Sequence, residues 1–421
     1  MVRKKNKIEL VTGLDIGSSS IRVAVGKIVV GGSGHSDLQI VGLVKVSSEG
    51  IAKGVVSSIE EAVSSITNAL EQAERLVGVP IEHAWVGISG PHVTSIKNKG
   101  VVAVAKSDGE IEEEDITRAV EAARAVATPL NYEILHVIPR SFAVDGQTGI
   151  KDPVGMTGVR LEVDTQIIQG SSSHINNLTK AVYRTGIDID DLVMSVLATG
   201  EAVTTSRQRD LGVGVINIGS STTSMVVYEE GEILHTVVLP IGSEHVTNDL
   251  AIGLKSPIDV AERVKREYGQ CVSTGLTKKD VIDLENLGSE FSEEVSLKFV
   301  SEIIGARMEE IFEKIDEELT KIDRSRLLPA GIIFTGGGAK IPGIIDLSKD
   351  ILELPSSLGY PIDISSVSEK SNDLSFSTAV GLVKWGSNLR RGNGKGGGIK
   401  IKNIDKVSKQ VRAWFGSLVP S

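Results

Sequence analysis

A seven-residue phrase occurs twice in this chain. Residues 14–20 read Leu-Asp-Ile-Gly-Ser-Ser-Ser and residues 216–222 read Ile-Asn-Ile-Gly-Ser-Ser-Thr, each followed by an apolar strand, at a constant offset of 202 positions. A repeated phrase in repeated surroundings predicts two matching half-molecules. A third glycine block, Thr335-Gly336-Gly337-Gly338, follows the apolar run Gly331-Ile332-Ile333-Phe334. Turns without bulky side chains let backbone N–H groups approach an anion closely. With three such turns available to close on one ligand, the ligand they suit is a nucleotide.

The chain is long enough to bury more than one core: 421 residues, 40% of them hydrophobic, predict a multi-lobed α/β protein. A net charge of −10 and a pI near 5.4 argue against a nucleic-acid partner for the body of the protein. The single cysteine, Cys271, cannot form an internal disulfide, fits a reducing compartment and reads as a half-buried structural thiol. The N-terminus lacks the apolar stretch of a signal peptide, and no window approaches the ~20 apolar residues of a spanning helix, so the expected location is the cytoplasm.

Residues 8–16 and 21–29 read as strands about the Gly17 turn, 39–46 as a third strand and 57–77 as an amphipathic helix. From Ala84 the texture changes to alternating strands with an acidic helix start at 108–115. Residues 172–184 read as a helix, 192–197 as a strand, and 200–207 as the start of a connector helix. The expected division is a lobe-one core over 8–83 that resumes over 166–199, with an insertion at 84–165. A lobe-two core follows over 200–249 and resumes over 326–375, with an insertion at 250–325. A return helix over 376–389, a flexible glycine-rich linker over 390–398 and an amphipathic helix over 399–421 complete the chain.

In each half, small residues at the bend let backbone N–H groups and hydroxyls converge on phosphate oxygens. Gly17, Ser18, Ser19 and Ser20 supply them in the first lobe; Gly219, Ser220, Ser221, Thr222 and Thr223 supply them in the second. Asp15 is placed to hold Mg²⁺ through water, as hard cations at phosphates usually are held. Taken singly, each turn reads as an ordinary hairpin; the repetition and the third block favour a polyphosphate gripped across a cleft.

Asp15-Ile-Gly-Ser-Ser, its second copy, and Ile332-Ile-Phe-Thr-Gly-Gly-Gly-Ala-Lys-Ile-Pro-Gly resemble the two phosphate motifs and the adenosine motif of the actin-like ATPase superfamily. Two further stretches, Asp152-Pro-Val-Gly-Met-Thr-Gly-Val-Arg-Leu-Glu-Val and Leu239-Pro-Ile-Gly-Ser-Glu-His-Val-Thr-Asn-Asp-Leu-Ala, are similar to those of the FtsA family of bacterial division proteins, a resemblance that extends over roughly residues 8 to 390. The resemblance implies a duplicated, two-lobed actin-like (ribonuclease H-like) fold with the nucleotide cleft between the lobes, the first insertion placed as in FtsA rather than as in actin, and ATP with Mg²⁺ as cofactors. It implies that Glu262 and Lys265 touch the ribose and adenine, that Gly336, Gly337 and Gly338 belong to the adenosine motif, and that Glu201 orients the attacking water. Without the resemblance, Glu262 and Lys265 read as a solvated helix face and Glu201 as a charge serving a helix dipole. Two positions depart from the family pattern: Asn217 stands where relatives carry aspartate, and Ser224 ends a Thr-Thr-Asp. Each removes a negative charge from the metal end, so Asn217 implies weaker Mg²⁺ retention and weak or slow hydrolysis.

Beyond the linker, Ile401, Ile404, Val407, Val411, Trp414, Phe415 and Leu418 fall at helical spacing, with Lys400, Lys402, Lys406, Lys409 and Arg412 mostly between them. Such a helix, about 30 Å long at ~1.5 Å per residue, suits the surface of an anionic membrane. Periodicity alone leaves docking on the protein's own body equally open; FtsA proteins end in a membrane-targeting helix. The resemblance also implies self-association into filaments, a peripheral position on the cytoplasmic side of the cell membrane at the division site, and a contact between the second insertion and the C-terminal tail of the tubulin-like protein FtsZ. Arg307 matches the family helix that meets that tail, although an exposed helical arginine is the commoner meaning. A sugar-kinase-like phosphotransferase and an actin-fold pilus-assembly platform are the alternatives.

Overall fold

The computed structural model describes residues 9–30, 36–125, 128–277, 279–290, 292–366 and 372–392. Strands β1 (Glu9–Ile16), β2 (Ser20–Val30) and β3 (Ser36–Ser47) form an antiparallel meander, and the short strands β4 (Ile51–Ala52) and β5 (Val55–Val56) lead into helix α1 (Ile59–Val77). The Ser58 hydroxyl accepts from the Glu61 amide at the start of α1, and Gly78, in the left-handed region at φ 74°, ends it. Strand β6 (His83–Ile88) then runs parallel to β1. Alternation along β1 serves two layers: Leu14 and Ile16 face Ile66 and Leu70 of α1, while Val11 faces the opposite side.

The insertion is a separate four-stranded sheet, β7-β10-β8-β9, built from β7 (Val93–Ala103), β8 (Tyr132–Val144), β9 (Gln147–Ile150) and β10 (Arg160–Ser171), with helix α2 (Glu113–Ala125) packed on it through Ile116, Ala119 and Val120. Because β6 belongs to the lobe-one sheet, residues 84–88 lie outside the insertion, which begins later than the expected residue 84 and runs through β10 to Ser171.

Helix α3 (Ser172–Tyr183) and strand β11 (Asp188–Met194) return the chain to lobe one, whose sheet begins β11-β6-β1-β2-β3. Helix α4 (Ser195–Val203) starts where a strand was expected, since a short buried apolar run such as Val196-Leu197 fits either state. The expected connector over 200–207 is therefore two helices: α4 ends at Val203, and α5 (Ser206–Leu211) starts anew behind a Thr205–Gln208 capping box.

Lobe two repeats lobe one. Strands β12 (Val213–Ile218), β13 (Thr223–Glu229) and β14 (Glu232–Leu239) form the same antiparallel meander. Helices α6 (Ser243–Gly253) and α7 (Ile258–Tyr268), the β15 (Val281–Asp283) and β16 (Glu294–Ser296) pair and helix α8 (Leu297–Thr320) follow. Strand β17 (Ile332–Thr335) runs parallel to β12, as β6 does to β1; helix α9 (Ile344–Leu352) leads to β18 (Ser356–Leu358), completing the order β14-β13-β12-β17-β18. Strand β19 (Ser365–Ser366) crosses back to pair with β3. Burial pushes the Cys271 thiol up to about 12, in keeping with an inert structural residue.

Helix α10 (Ser377–Gly392) closes the molecule. Its Ala379, Val380, Leu382 and Val383 pack on Val11, Ala24 and Ile40, the lobe-one sheet face opposite α1. The approach depends on glycine: a Cβ on Gly13 would lie 2.3 Å from the Ala379 carbonyl, and one on Gly381 would lie 1.9 Å from the Ala198 carbonyl of α4. α10 also takes up residues 390–392, the first part of the expected linker. The remainder of that linker and the tail residues Ile404, Val407, Val411, Trp414, Phe415 and Leu418 lie outside the described residues.

Candidate functional site

The duplicated turns have the same backbone geometry. Gly17 N–H donates to the Ser20 carbonyl at 3.2 Å, and Gly219 N–H donates to the Thr222 carbonyl at 2.8 Å. Both turns open onto a single cleft of about 1140 Å³, lined by Asp15, Gly17, Ser18, Ser19 and Ser20 from one lobe and by Asn217, Gly219, Ser220, Ser221 and Thr222 from the other. Glu262, Lys265 and the Gly336, Gly337 and Gly338 block line the same space. The lobes touch directly beside the turns, where the Ser89 and Ser224 hydroxyls lie 3.3 Å apart.

The third block depends on its glycines. Gly336 has φ 89°, and a Cβ there would lie 2.2 Å from Asn217 Oδ1, so the block is folded against the second turn. At Gly337 a Cβ would meet nothing within 4 Å. On α7, the Lys265 ammonium is almost fully buried: it donates to the Thr247 hydroxyl at 2.6 Å and to the Ser243 carbonyl at 3.2 Å, and it pairs with Glu262 at 2.5 Å. Lys265 is thus part of the wall rather than a solvated helix face.

At the expected metal end, strand register decides the electrostatics. Asp15 faces Arg22 across the first hairpin, and 202 positions on, Asn217 faces Ser224 across the second. Arg22 lies 3.5 Å from the Asp15 carboxylate. Burial raises the Asp15 carboxyl above its ordinary value, and the Arg22 charge only partly offsets it. The Asn217 amide donates to the Thr378 hydroxyl of α10 at 2.9 Å. Burial, then the positive neighbours Arg22, Lys340 and Arg266, hold the Lys45 ammonium below the usual lysine range, so cations from both lobes converge on the cleft. Arg22, Lys45, Ser89, Glu244, Lys340 and Thr378 line the cleft and were not legible as site residues. Of these, Arg22 could have been found by pairing the hairpin in register.

Two residues expected in the cleft do not line it, and Arg307 sits in the second insertion as expected. Thr223 begins β13 with its side chain fully buried, because alternation turns it away from the cleft that Thr222 and Ser224 face. Glu201 sits in the last turn of α4, not at the opening of a helix, and it does not line the cleft. Its carboxylate accepts from Arg209 at 2.7 Å, while the Arg209 guanidinium lies 5.0 Å from the centre of the Tyr228 ring and donates to the Thr204 hydroxyl. In this arrangement the carboxylate is paired with Arg209 rather than turned to the cleft. Arg307 lies on α8, where it forms a bidentate pair with Asp249 of α6 and also bonds Glu310.

A family model described as "Cell division protein FtsA" matches residues 214–381, and one for an SHS2 domain inserted in FtsA matches residues 90–169, the region of the separate β7-β10-β8-β9 sheet. The cell division protein FtsA of Borreliella burgdorferi is 38% identical over 408 residues, covering 96% of this chain and 98% of that protein. The Bacillus subtilis protein of the same name is 37% identical over 396 residues, covering 94% and 88%. The chain belongs to the FtsA family. Among solved structures, a PilM–PilN type IV pilus biogenesis complex matches with a TM-score of 0.65 at 18% identity, covering 89% of this chain and 98% of that chain. MreB5 of Spiroplasma citri bound to ADP matches with a TM-score of 0.54 at 13% identity, covering 92% and 99%. These likenesses concern the fold, which is actin-like. Family membership makes this a cell-division protein and sets the sugar-kinase and pilus-platform alternatives aside.

The reassignment of Glu201 has a measurable consequence. Burial opposes its charge, but Arg209 leaves the carboxyl below the ordinary 4.5, so its stabilisation is complete above that value and is lost as pH falls through the lower folded-state value. Glu201→Ala, which strands the Arg209 charge, is expected to cost about 2 kcal/mol in a denaturant titration at neutral pH. The same variant is expected to leave nucleotide affinity unchanged by titration.

Proposed function

We propose that the cleft binds ATP with Mg²⁺, and that the protein polymerises through lobe-to-lobe contacts on the cytoplasmic side of the cell membrane, at the division site, where it anchors FtsZ. The observation that carries the nucleotide reading is the pair of equivalent turns facing one cleft, each rich in backbone N–H groups and small hydroxyl residues. Gly17 to Ser20 and Gly219 to Thr222 hold the phosphates. The Gly336 to Gly338 block leaves room for the base, and Glu262 and Lys265 meet the ribose and adenine. The ADP-bound state named for the similarly folded MreB5 supports the same reading.

Asp15 and Asn217 would face the metal through its bound water, and Mg²⁺ supplies charge neutralisation at the phosphates when bound. The residues matched to the family's metal and water positions bring little free charge to that end. Asp15 is already offset by Arg22, Asn217 carries no charge and gives its amide to Thr378, and Glu201 is withdrawn to Arg209. Slow hydrolysis follows, and the nucleotide serves to hold a state rather than to drive a cycle.

The partner and membrane readings rest on family membership. The second insertion meets the FtsZ tail, and Arg307 contributes there when an acidic peptide displaces Asp249 from its guanidinium. The 399–421 segment binds anionic membrane through Trp414, Phe415 and its apolar neighbours, flanked by lysines. No helix among the described residues is long and apolar enough to cross a membrane.

Gly337→Val places a side chain in open cleft space without meeting protein, so it is expected to weaken binding of a fluorescent ATP analogue roughly tenfold or more while leaving the melting temperature in place. Unchanged affinity, or no binding by the natural chain, contradicts the nucleotide reading. Deletion of residues 399–421 is expected to abolish co-sedimentation with phosphatidylglycerol-containing vesicles, and undiminished co-sedimentation would refute the membrane assignment.

A further inference from the structure

Glu244 is the second residue of α6, and that helix begins on top of the second turn. The Ser243 amide donates to the Gly219 carbonyl at 3.0 Å, and the Glu244 amide donates to the Ser220 carbonyl at 2.8 Å. A Cβ on Gly242 would lie 2.4 Å from the Ser220 carbonyl, which shows how closely the helix start is seated. From there the Glu244 carboxylate turns back onto the turn, where Oε2 accepts from the Ser221 hydroxyl at 2.5 Å and from the Ser220 hydroxyl at 3.2 Å. Both serine protons of the second turn are therefore committed to a carboxylate that itself lines the cleft.

Three other acids of the cleft region are paired, Asp15 with Arg22, Glu262 with Lys265, and Asp373 with Lys340, whereas Asp259, on the α7 wall, forms no ion pair among the described residues. Among the described residues no cation forms an ion pair with Glu244. Its equivalent surroundings in the first lobe differ, since there the Ser18 hydroxyl accepts from the Gly54 amide, and among the described residues no carboxylate accepts from a serine of that turn. A bare polyphosphate reaching the second turn meets a like charge, and the two hydroxyls that would donate to it are occupied. A divalent cation arriving with the phosphates changes the sign of that encounter, because a carboxylate attracts it and can hold its bound water. Asn217, nearby on the same hairpin, brings no charge to that task.

We propose that Glu244 is a positioning residue that makes nucleotide binding conditional on a divalent cation: it holds the Ser220 and Ser221 hydroxyls of the second turn and presents its charge to the metal-bearing end of the phosphates. This inference rests on the ATP reading of the cleft. The test is the affinity of the full chain for AMPPNP measured in Mg²⁺ and in EDTA, expressed as a ratio. Glu244→Gln is expected to tighten metal-free binding about tenfold, equivalent to about 1.4 kcal/mol, and to leave or weaken binding in Mg²⁺, so the ratio falls by tenfold or more. Glu244→Asp keeps the charge and is expected to retain most of the natural ratio. The Ser220→Ala/Ser221→Ala double variant, which keeps Glu244, is expected to bind more weakly in both conditions with the ratio preserved. This arm tests the proposal even if Glu244→Gln fails to fold. An unchanged ratio in Glu244→Gln, as a merely structural role would give, overturns the proposal, as does loss of metal dependence in the double serine variant. If the natural chain binds AMPPNP in neither condition, the ATP reading itself fails.

Discussion

The Thr378 hydroxyl holds the centre of this molecule together. It accepts from the Asn217 amide of lobe two at 2.9 Å, in a partly buried contact at the cleft, and lies 2.9 Å from the Thr199 hydroxyl of α4 in a buried one. Around it, Gly13 and Gly381 let α10 approach β1 and α4 more closely than any side chain would permit. The floor of the cleft is thus a three-way joint between the second meander, the connector and the last helix. Helix α10, the last of the described helices, is therefore part of the site although it supplies no phosphate-binding turn.

The duplicated architecture does not make the two halves chemically equal, and register shows why. The position that is Arg22 in the first hairpin is Ser224 in the second, as the position that is Asp15 is Asn217. Each hairpin is close to neutral at this pair, one through an opposed acid and base and the other through two uncharged side chains. What distinguishes the second turn is Glu244, which arrives from a helix rather than from the repeat. The cations Lys45, Lys340 and Arg266 supply a field that favours a polyphosphate. Glu244 opposes that field locally, at the turn where a metal-bearing phosphate end would sit.

Much of the fold was legible because it is carried by short-range signals. The repeated Gly-Ser-Ser phrase announced two hairpins, and alternation and 3.6-residue periodicity announced the meander and α1. The insertion boundary slipped because Ala84 to Ile88 is as strand-like as β7 beyond it, and only pairing with β1 assigns it to the first lobe. The position and partner of Glu201 were missed for a related reason. Val196 and Leu197 read equally as strand or helix, and the displaced helix start hid a partner, Arg209, eight residues on. Thr223 was misplaced by treating a turn as a unit when its last member already obeys strand alternation. Glu244 and Thr378 were beyond reach because their importance lies in partners 24 and 161 residues away along the chain.

The claim at the centre of this account is that two equivalent turns, one from each lobe, close on a single polyphosphate. A crystal structure of the full chain with AMPPNP and Mg²⁺ tests it most directly. The account predicts phosphate oxygens about 3 Å from backbone N–H groups of both the Gly17–Ser20 and the Gly219–Thr222 turns. Phosphates bound to one turn alone, or seated outside this cleft, would contradict it.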